Sequence, residues 1–347
     1  MNDILNEKTI PNLSFFTFNG HVFGVDKEGN GVYEVLENEG CVCLRYIVEP
    51  VHFKKKAISK ALSYRDGVVF IPFNYGRIVC YDIANNSWRE LDLDLGEGNG
   101  LFLDAELIGD EIILLPFNSN FLVKINLCTF DIYKTNICEV CGLQQKNSIV
   151  IKHILENEDC VLFPVFNTNI IIRYFAKENR FEKYILDKND FRINSITSDG
   201  NNIFLESRNS LEVIVTDRDF NIEKCIEISK ETQPLGDAYT YFDQSGFDFF
   251  DGSLYCFPAR WNHVIKIDTR TYEITTLSSM EKLTLGSENI SKFNHGIVVD
   301  GKLYIQHYDE KIVIFDLETE KFDVVSTAMN DPDGVHLKGF LDYIASA

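Results

Sequence analysis

The 347-residue sequence is short of positive charge, of helical periodicity, of long apolar runs and of known catalytic motifs, and each shortage narrows what the chain can be. No run approaches the length of a membrane span. The N-terminal MNDILNEKTIPNL is charged and lacks the apolar stretch and small-residue cleavage site of a secretory signal. A soluble, cytoplasmic protein with no membrane partner is expected. Lys plus Arg number 33 against 53 for Asp plus Glu, a formal net charge of −20, so the long-range field repels phosphate backbones and nucleic acid is a poor partner. The one basic cluster, Lys54, Lys55 and Lys56 with Lys60 beyond them, reads as a solvated connection.

Paired cysteines are lacking too. The nine present are an odd number, and Cys80, Cys128, Cys160, Cys225 and Cys256 fall inside apolar strand-like runs, which reads as reduced core thiols. Cys138-Glu139-Val140-Cys141 has the spacing of a zinc or redox pair but no second pair to complete it, and Cys41 and Cys43 alternate across a strand and point apart. No glycine-rich phosphate loop, metalloprotease helix or nucleophile elbow is present. Neither a metal nor another cofactor is expected.

What the sequence does have is recurrence. A turn-like dipeptide returns at Asn19-Gly20, Asp66-Gly67, Gly109-Asp110, Glu158-Asp159, Asp199-Gly200, Asp251-Gly252 and Asp300-Gly301, at spacings of 47, 43, 49, 41, 52 and 49 residues. Behind each comes an apolar run such as VVFIPF or EIILLPF, a polar tip, a second run such as RIVCYDI or FLVKINL, a short turn, and a third run with an aromatic near its start, among them Trp88, Phe130, Phe181, Phe220, Tyr272 and Phe322. A fourth run precedes the dipeptide.

Four short antiparallel strands form a sheet that cannot bury both faces alone, so such units must stack on copies of themselves. An all-β propeller of seven four-stranded blades over residues 13–330 follows, with an N-terminal extension of 1–12 and a tail of 331–347. A six-bladed ring and a pair of β-sandwiches are the competing readings. The first unit (13–47) and the last (296–326) each contain all four strands, which leaves the mode of ring closure open. With its turn dipeptides, aromatic-rich second strands and Trp88 after the third, the chain resembles Kelch-type propeller repeats. A Gly-Gly doublet is absent where Asp66-Gly67, Asp251-Gly252 and Asp300-Gly301 stand. The resemblance implies a fold, and propellers serve many functions.

If the strands of a blade are lettered A to D from the channel outwards, the B–C turns and the D-to-A connections share one face. The longer, variable segments collect there. Its tips carry Tyr75 with Arg77 and the run Arg260-Trp261-Asn262-His263, and an aromatic beside an arginine has the composition of a binding hot spot. The plainer readings are that Trp261 packs between blades and that the many tip asparagines cap turns. Counting back about six residues from each dipeptide places Lys60, Asp104, His153, Asn194, Ser245, Asn294 and His295 around the channel mouth, either as a water-lined ring or as a pocket with Asp104, His153 and His295 available as acid or base. The connection GDAYTYFDQSGFDFFDG interleaves Asp243 and Asp248 with aromatics, which suits a sugar or a cationic peptide, or simply a plug for the channel.

Two functions follow. The leading expectation is a non-catalytic recognition or scaffold propeller that binds a protein or peptide through its variable face. The other is a carbohydrate-active lyase, epimerase or hydrolase working on a small sugar-like ligand at the channel mouth, with Asp104, His153, His295 and a carboxylate of the 237–248 loop.

Overall fold

Apolar runs rich in β-branched and aromatic residues, interrupted every five or six positions by turn chemistry, pair with their sequence neighbours into antiparallel meanders. The computed structural model describes residues 13–18, 20–26, 32–38, 41–48, 58–74, 76–82, 87–95, 100–143, 150, 152–208, 210, 212–228, 247–256, 264–277, 293–307 and 312–330.

The first blade is made of β1 (Leu13–Phe18), β2 (His21–Asp26), β3 (Val32–Asn38) and β4 (Cys41–Val48). The second holds β5 (Ile58–Tyr64), β6 (Gly67–Pro72), β7 (Arg77–Asp82) and β8 (Ser87–Asp92), and the third β9 (Phe102–Ile108), β10 (Glu111–Pro116), β11 (Phe121–Asn126) and β12 (Ile132–Asn136). A five-residue helix, α1 (Ile137–Cys141), leads towards the fourth: β13 (Ile154–Asn157), β14 (Cys160–Pro164), β15 (Ile170–Phe175) and β16 (Arg180–Ile185). Blade five follows with β17 (Ile193–Ser198), β18 (Ile203–Ser207), β19 (Glu212–Thr216) and β20 (Ile222–Glu227), and blade six with β21 (Phe247–Phe250), β22 (Ser253–Cys256), β23 (Val264–Asp268) and β24 (Ile274–Leu277). Blade seven is β25 (Phe293–Val299), β26 (Lys302–His307), β27 (Ile312–Asp316) and β28 (Lys321–Asn330). The chain is a seven-bladed β-propeller.

The second strand of a blade is covered on both faces, and β6, β14, β18 and β22 are accordingly buried at every residue. Outer strands such as β8 and β16 alternate with solvent. Neighbouring side chains on one strand therefore serve different cores: Val68 packs towards blade one and Val69 towards blade three. An apolar cluster of this kind lies at each of the seven blade boundaries, including one that joins Phe15, Val22 and Tyr33 to Tyr304, Ile312 and Ile314 and so links first blade to last. Phe23, Phe163, Phe204 and Phe315 are almost fully buried at four of these boundaries, and each such side chain contributes about 1.5–3 kcal/mol.

Closure uses a device the sequence left open. Blades one and seven are both complete, and β28 runs five residues past its partner β27 to pair in parallel with β4, from Ser326 opposite Cys41 to Asn330 opposite Arg45. The end of the last strand becomes a fifth strand on the outer edge of the first blade, giving one eight-stranded sheet.

Turn chemistry departs from the expected register in two blades. Asp251-Gly252 and Asp300-Gly301 are the central pairs of two-residue hairpin loops with positive φ at both positions, which the twist of the flanking strands favours. In blade two the loop is Arg65-Asp66, and Gly67 already pairs with Tyr64. That glycine is required for another reason: a Cβ there would stand 2.4 Å from the carbonyl oxygen of Tyr81. In blade five the loop lengthens to residues 199–202 between Ser198 and Ile203. The thiols divide as well. Cys160 and Cys256 are buried as expected, while Cys128 and Cys225 are exposed, Cys128 because it sits in the turn after β11 and Cys225 because it lies on outer strand β20.

Candidate functional site at the channel mouth

The inner strands are irregular near their first residues. In β5, β9, β17 and β25 the register with the second strand slips by one residue near the start, at Ile58/Lys60, Phe102/Asp104, Ile193/Ser195 and Phe293/Gly296. Such a bulge re-aims the side chains beside it. In β6 and β10 the strand opposite ends in Pro72 and Pro116, which have no N–H to donate to the ladder. Lys60, Asp104, Asn194, Asn294 and His295 all lie at or next to these slips.

Three blades meet in one network there. Lys60 of blade two places its Nζ 2.6 Å from Asp104 Oδ1 in blade three and 3.3 Å from the carbonyl oxygen of Ala105. His153, the residue just before β13 of blade four, has Nδ1 2.5 Å from Asp104 Oδ2 and Nε2 2.6 Å from Glu106 Oε2. Asp104 Oδ1 also accepts from the N–H of Ala105, and Glu106 Oε1 from that of Leu107. Asp104 and His153 are buried, and Lys60 is partly open to solvent.

The charges decide the protonation states. Burial alone would raise Asp104, but the His153 imidazolium and Lys60 ammonium hold its carboxyl well below the usual range. Glu106, also pushed up by burial, is brought down by the hydrogen bond from His153. For His153 burial disfavours the cation, yet attraction to Asp104 and hydrogen bonds to both carboxylates prevail and lift it to about 9. At neutral pH the cluster thus holds two anions, Asp104 and Glu106, and two cations, Lys60 and His153. Both ring N–H groups of His153 donate to carboxylates, so its ring has no lone pair with which to accept a proton.

Glu106 was not among the residues read from the sequence. The signal was available, since Asp104 and Glu106 are two apart on one strand and share a face. A second polar link lies within blade five, where Asn194 Nδ2 donates to Oε2 of the buried Glu206 at 2.8 Å. The Glu206 charge, after burial, raises the Cys256 thiol, and Lys152 opposes it.

Of the other expected site residues, Arg77 alone has a described side chain. Tyr75, Arg260, Trp261, Asn262, His263, Asp243 and Ser245 lie outside the described residues. Asp248 is in β21, and Asn294 and His295 are in β25, with their side chains outside the description. Arg77 begins β7 and turns along its own blade, 3.0 Å from Glu90 and 3.5 Å from Asp92 on β8. Among the described residues no group of three or more His, Cys, Asp or Glu side chains is arranged to hold a metal ion. Cys138 and Cys141 are buried in α1, whose N-terminus is capped by Asn136. No helix among them is long and apolar enough to cross a membrane.

The variable face is built as the connectivity requires. Its tips and blade-to-blade connections hydrogen-bond to one another: Leu93 N–H to Gly76 O, Gly100 N–H to Asn74 Oδ1, Ile137 N–H to Asn120 O and Leu186 N–H to Asn169 O. The Asn74 amide is thus engaged with the backbone of the chain. At the same end of blades three and four, Phe121 at the start of β11, Val140 in α1 and Ile185 at the end of β16 are exposed apolar side chains, and α1 packs against β16.

No family model matches the chain, and neither does any curated protein. Solved structures do. A streptogramin B lyase superposes with a TM-score of 0.63 at 15% identity, covering 89% of this chain and 94% of that one. A catalytically inactive histidine-to-alanine variant of virginiamycin B lyase from Staphylococcus aureus, with quinupristin, gives 0.59 at 13% identity over 84% and 87%. The computationally designed Ika8 protein gives 0.59 at 10% identity over 94% and 91%. At these identities the shared property is the fold.

Proposed function

We propose that this chain is a non-catalytic recognition propeller of the cytoplasm, related in its repeats to the Kelch type, that binds a protein or peptide through the face carrying its B–C turns and blade connections. The observation that carries the reading is the mutual pairing of Asp104 and His153 among the described residues of the channel mouth. Asp104 and His153, the groups best suited by type to acid–base work, are committed to each other, to Lys60 and to Glu106, and tie three blades together. A general base needs a free lone pair near its operating pH, and a protonated His153 has none.

The variable face supplies what association needs. Phe121, Val140 and Ile185 expose apolar surface on adjacent blades, above a backbone fixed by interlocking hydrogen bonds. By their place in the B–C tips of the sequence, Tyr75, Arg77, Arg260, Trp261, Asn262 and His263 would extend the proposed surface. The test is capture of partner from host lysate, read by native mass spectrometry, with wild type, a Val140→Asp/Ile185→Asp pair and a Tyr75→Ala/Arg77→Ala/Arg260→Ala/Trp261→Ala set. A partner of fixed stoichiometry should be lost from both variant sets with little change in thermal midpoint. Equal capture by all three proteins would contradict the assignment.

One observation favours a second reading, a carbohydrate-active enzyme at the mouth. Among the described residues Lys60 gives two of its three ammonium donors, to Asp104 and Ala105, and its side chain is 31% exposed. Asp243, Asp248, Asn294 and His295 would supply the remaining polar groups. Sugar turnover that disappears in Lys60→Met would move the assignment there.

A further inference from the structure

Blades two and four carry one device in two states. In blade four the guanidinium of Arg173 on β15 lies over the ring of Phe220, a positive-φ turn residue of blade five, 5.3 Å from its centroid. Its charge is met within the chain: Nε and Nη2 donate to the two oxygens of Glu156 at 2.8 and 2.9 Å, Nη1 donates to the Tyr184 hydroxyl, and Nη2 also reaches the carbonyl of Arg218. In blade two the guanidinium over the next blade's turn aromatic is that of Arg89 on β8, 3.5 Å from the centroid of Phe130. Among the described residues no carboxylate pairs with it.

Strand register explains the difference. Tyr81 opposite Trp88 in blade two corresponds to Tyr174 opposite Phe181 in blade four, so the next pair is Cys80 opposite Arg89 in one and Arg173 opposite Glu182 in the other. A cysteine standing where blade four has an arginine leaves room. That room is a half-open cleft of about 430 Å³, with Tyr64, Arg65, Cys80, Ser87, Arg89 and Phe130 on its wall. Two of its polar groups are spent, since the Tyr64 hydroxyl and the Arg65 guanidinium both donate to Asp110 at 2.7 Å. Arg89 is the cation that remains.

We infer that this cleft binds a small organic carboxylate, seated on Arg89 as the carboxylate of Glu156 is seated on Arg173. A guanidinium stacked over an aromatic ring keeps its edge N–H groups for a two-point hydrogen bond to a carboxylate, and Arg89 lies over Phe130 at 3.5 Å from the centroid. Asp66 and Asp82, which also line the cleft, oppose a multiply charged anion and select a monocarboxylate over a phosphate. The inference does not depend on the proposed variable-face function, because the cleft opens among the A–B and C–D turns at the other end of the blades.

The test uses 4-fluorobenzoate as probe, with its ¹⁹F line width read against the full-length protein. Wild type should broaden the line, excess acetate should restore it, and uncharged 4-fluorobenzamide should stay sharp. Arg89→Gln should lose the broadening, and Cys80→Arg, which restores the arginine of blade four, should lose it by filling the space. The acetate competition needs no substitution and holds even if a variant folds poorly. Absence of broadening with wild type, equal broadening by the benzamide, no restoration by acetate, or broadening that persists in a folded Arg89→Gln would each overturn the inference.

Discussion

His153 Nδ1 and Asp104 Oδ2 stand 2.5 Å apart across the boundary between blades three and four, both buried, and each side chain also pairs with a second, opposite charge. Taking the Asp104 and His153 charges out of water costs several kcal/mol for each, and the arrangement persists because every charge of the cluster has a partner and the carboxylates take further hydrogen bonds. Removing one member leaves the others uncompensated. His153→Gln should therefore destabilise the protein by about 3 kcal/mol, although the change is nearly isosteric. Thermal melts of wild type and variant at pH 6 check it; equal midpoints would mean that the cluster is not formed.

The pH dependence of that difference has a definite sign. His153 is raised from 6.5 to about 9 in the folded protein, so its contribution is full below pH 6.5 and is lost as pH rises through 9. Asp104 and Glu106 are lowered, so theirs is present above their ordinary values of 3.8 and 4.5 and lost as pH falls through the depressed ones. The gap in midpoint between wild type and His153→Gln should be widest between about pH 5 and 6.5 and narrow towards pH 10. A gap that widens from pH 6 to pH 9 would show the reverse linkage.

The ring is closed by the parallel pairing of residues 326–330 with 41–45 in addition to side-chain packing between blades one and seven. A chain ending at Val325 should keep β27–β28 pairing yet lose hydrogen-exchange protection in β4, with a lower unfolding midpoint. Unchanged protection of residues 41–45 would show that the fifth strand does not latch the ring.

Gly67 separates two explanations for a recurring turn dipeptide. Its need is space, since a Cβ would meet the Tyr81 carbonyl at 2.4 Å, and its φ is not positive. Gly67→Ala should cost about 1–3 kcal/mol by forcing β6 from β7. Gly252, at φ +72 with nothing near it, is a turn glycine, and Gly252→Asn, which tolerates that conformation, should be nearly neutral. Chemical denaturation of both variants decides; comparable losses would refute the distinction.

The meander of four strands could be read from runs such as VVFIPF followed by RIVCYDI, because a strand covered on both faces must be continuously apolar and its turns must carry Asp, Asn and Gly. The polar inner positions Lys60, Asp104, His153 and Asn194 were legible by counting from those turns. Their mutual pairing was not, since whether side chains on adjacent strands point together depends on one-residue bulges that leave no mark in composition. Ring closure was hidden for a similar reason: β28 carries on past its blade as an ordinary strand, and its partner lies almost 300 residues earlier. A further turn signature could have been found. Asn126, Asp268 and Asp316 each accept backbone N–H groups two and three residues ahead, ending at Thr129, Thr271 and Thr319, and the next residue in each case has positive φ.

The ionisation of His153, followed by the ¹³Cε1 and ¹⁵N shifts of a histidine-labelled protein and assigned with His153→Gln, decides between a structural cluster and a free base. A saturated, structural cluster requires an imidazolium at pH 7 whose titration midpoint lies near 9. A midpoint at or below 6.5, with a neutral ring at pH 7, would put a free base at the channel mouth, contradict the recognition reading and turn attention to catalysis there.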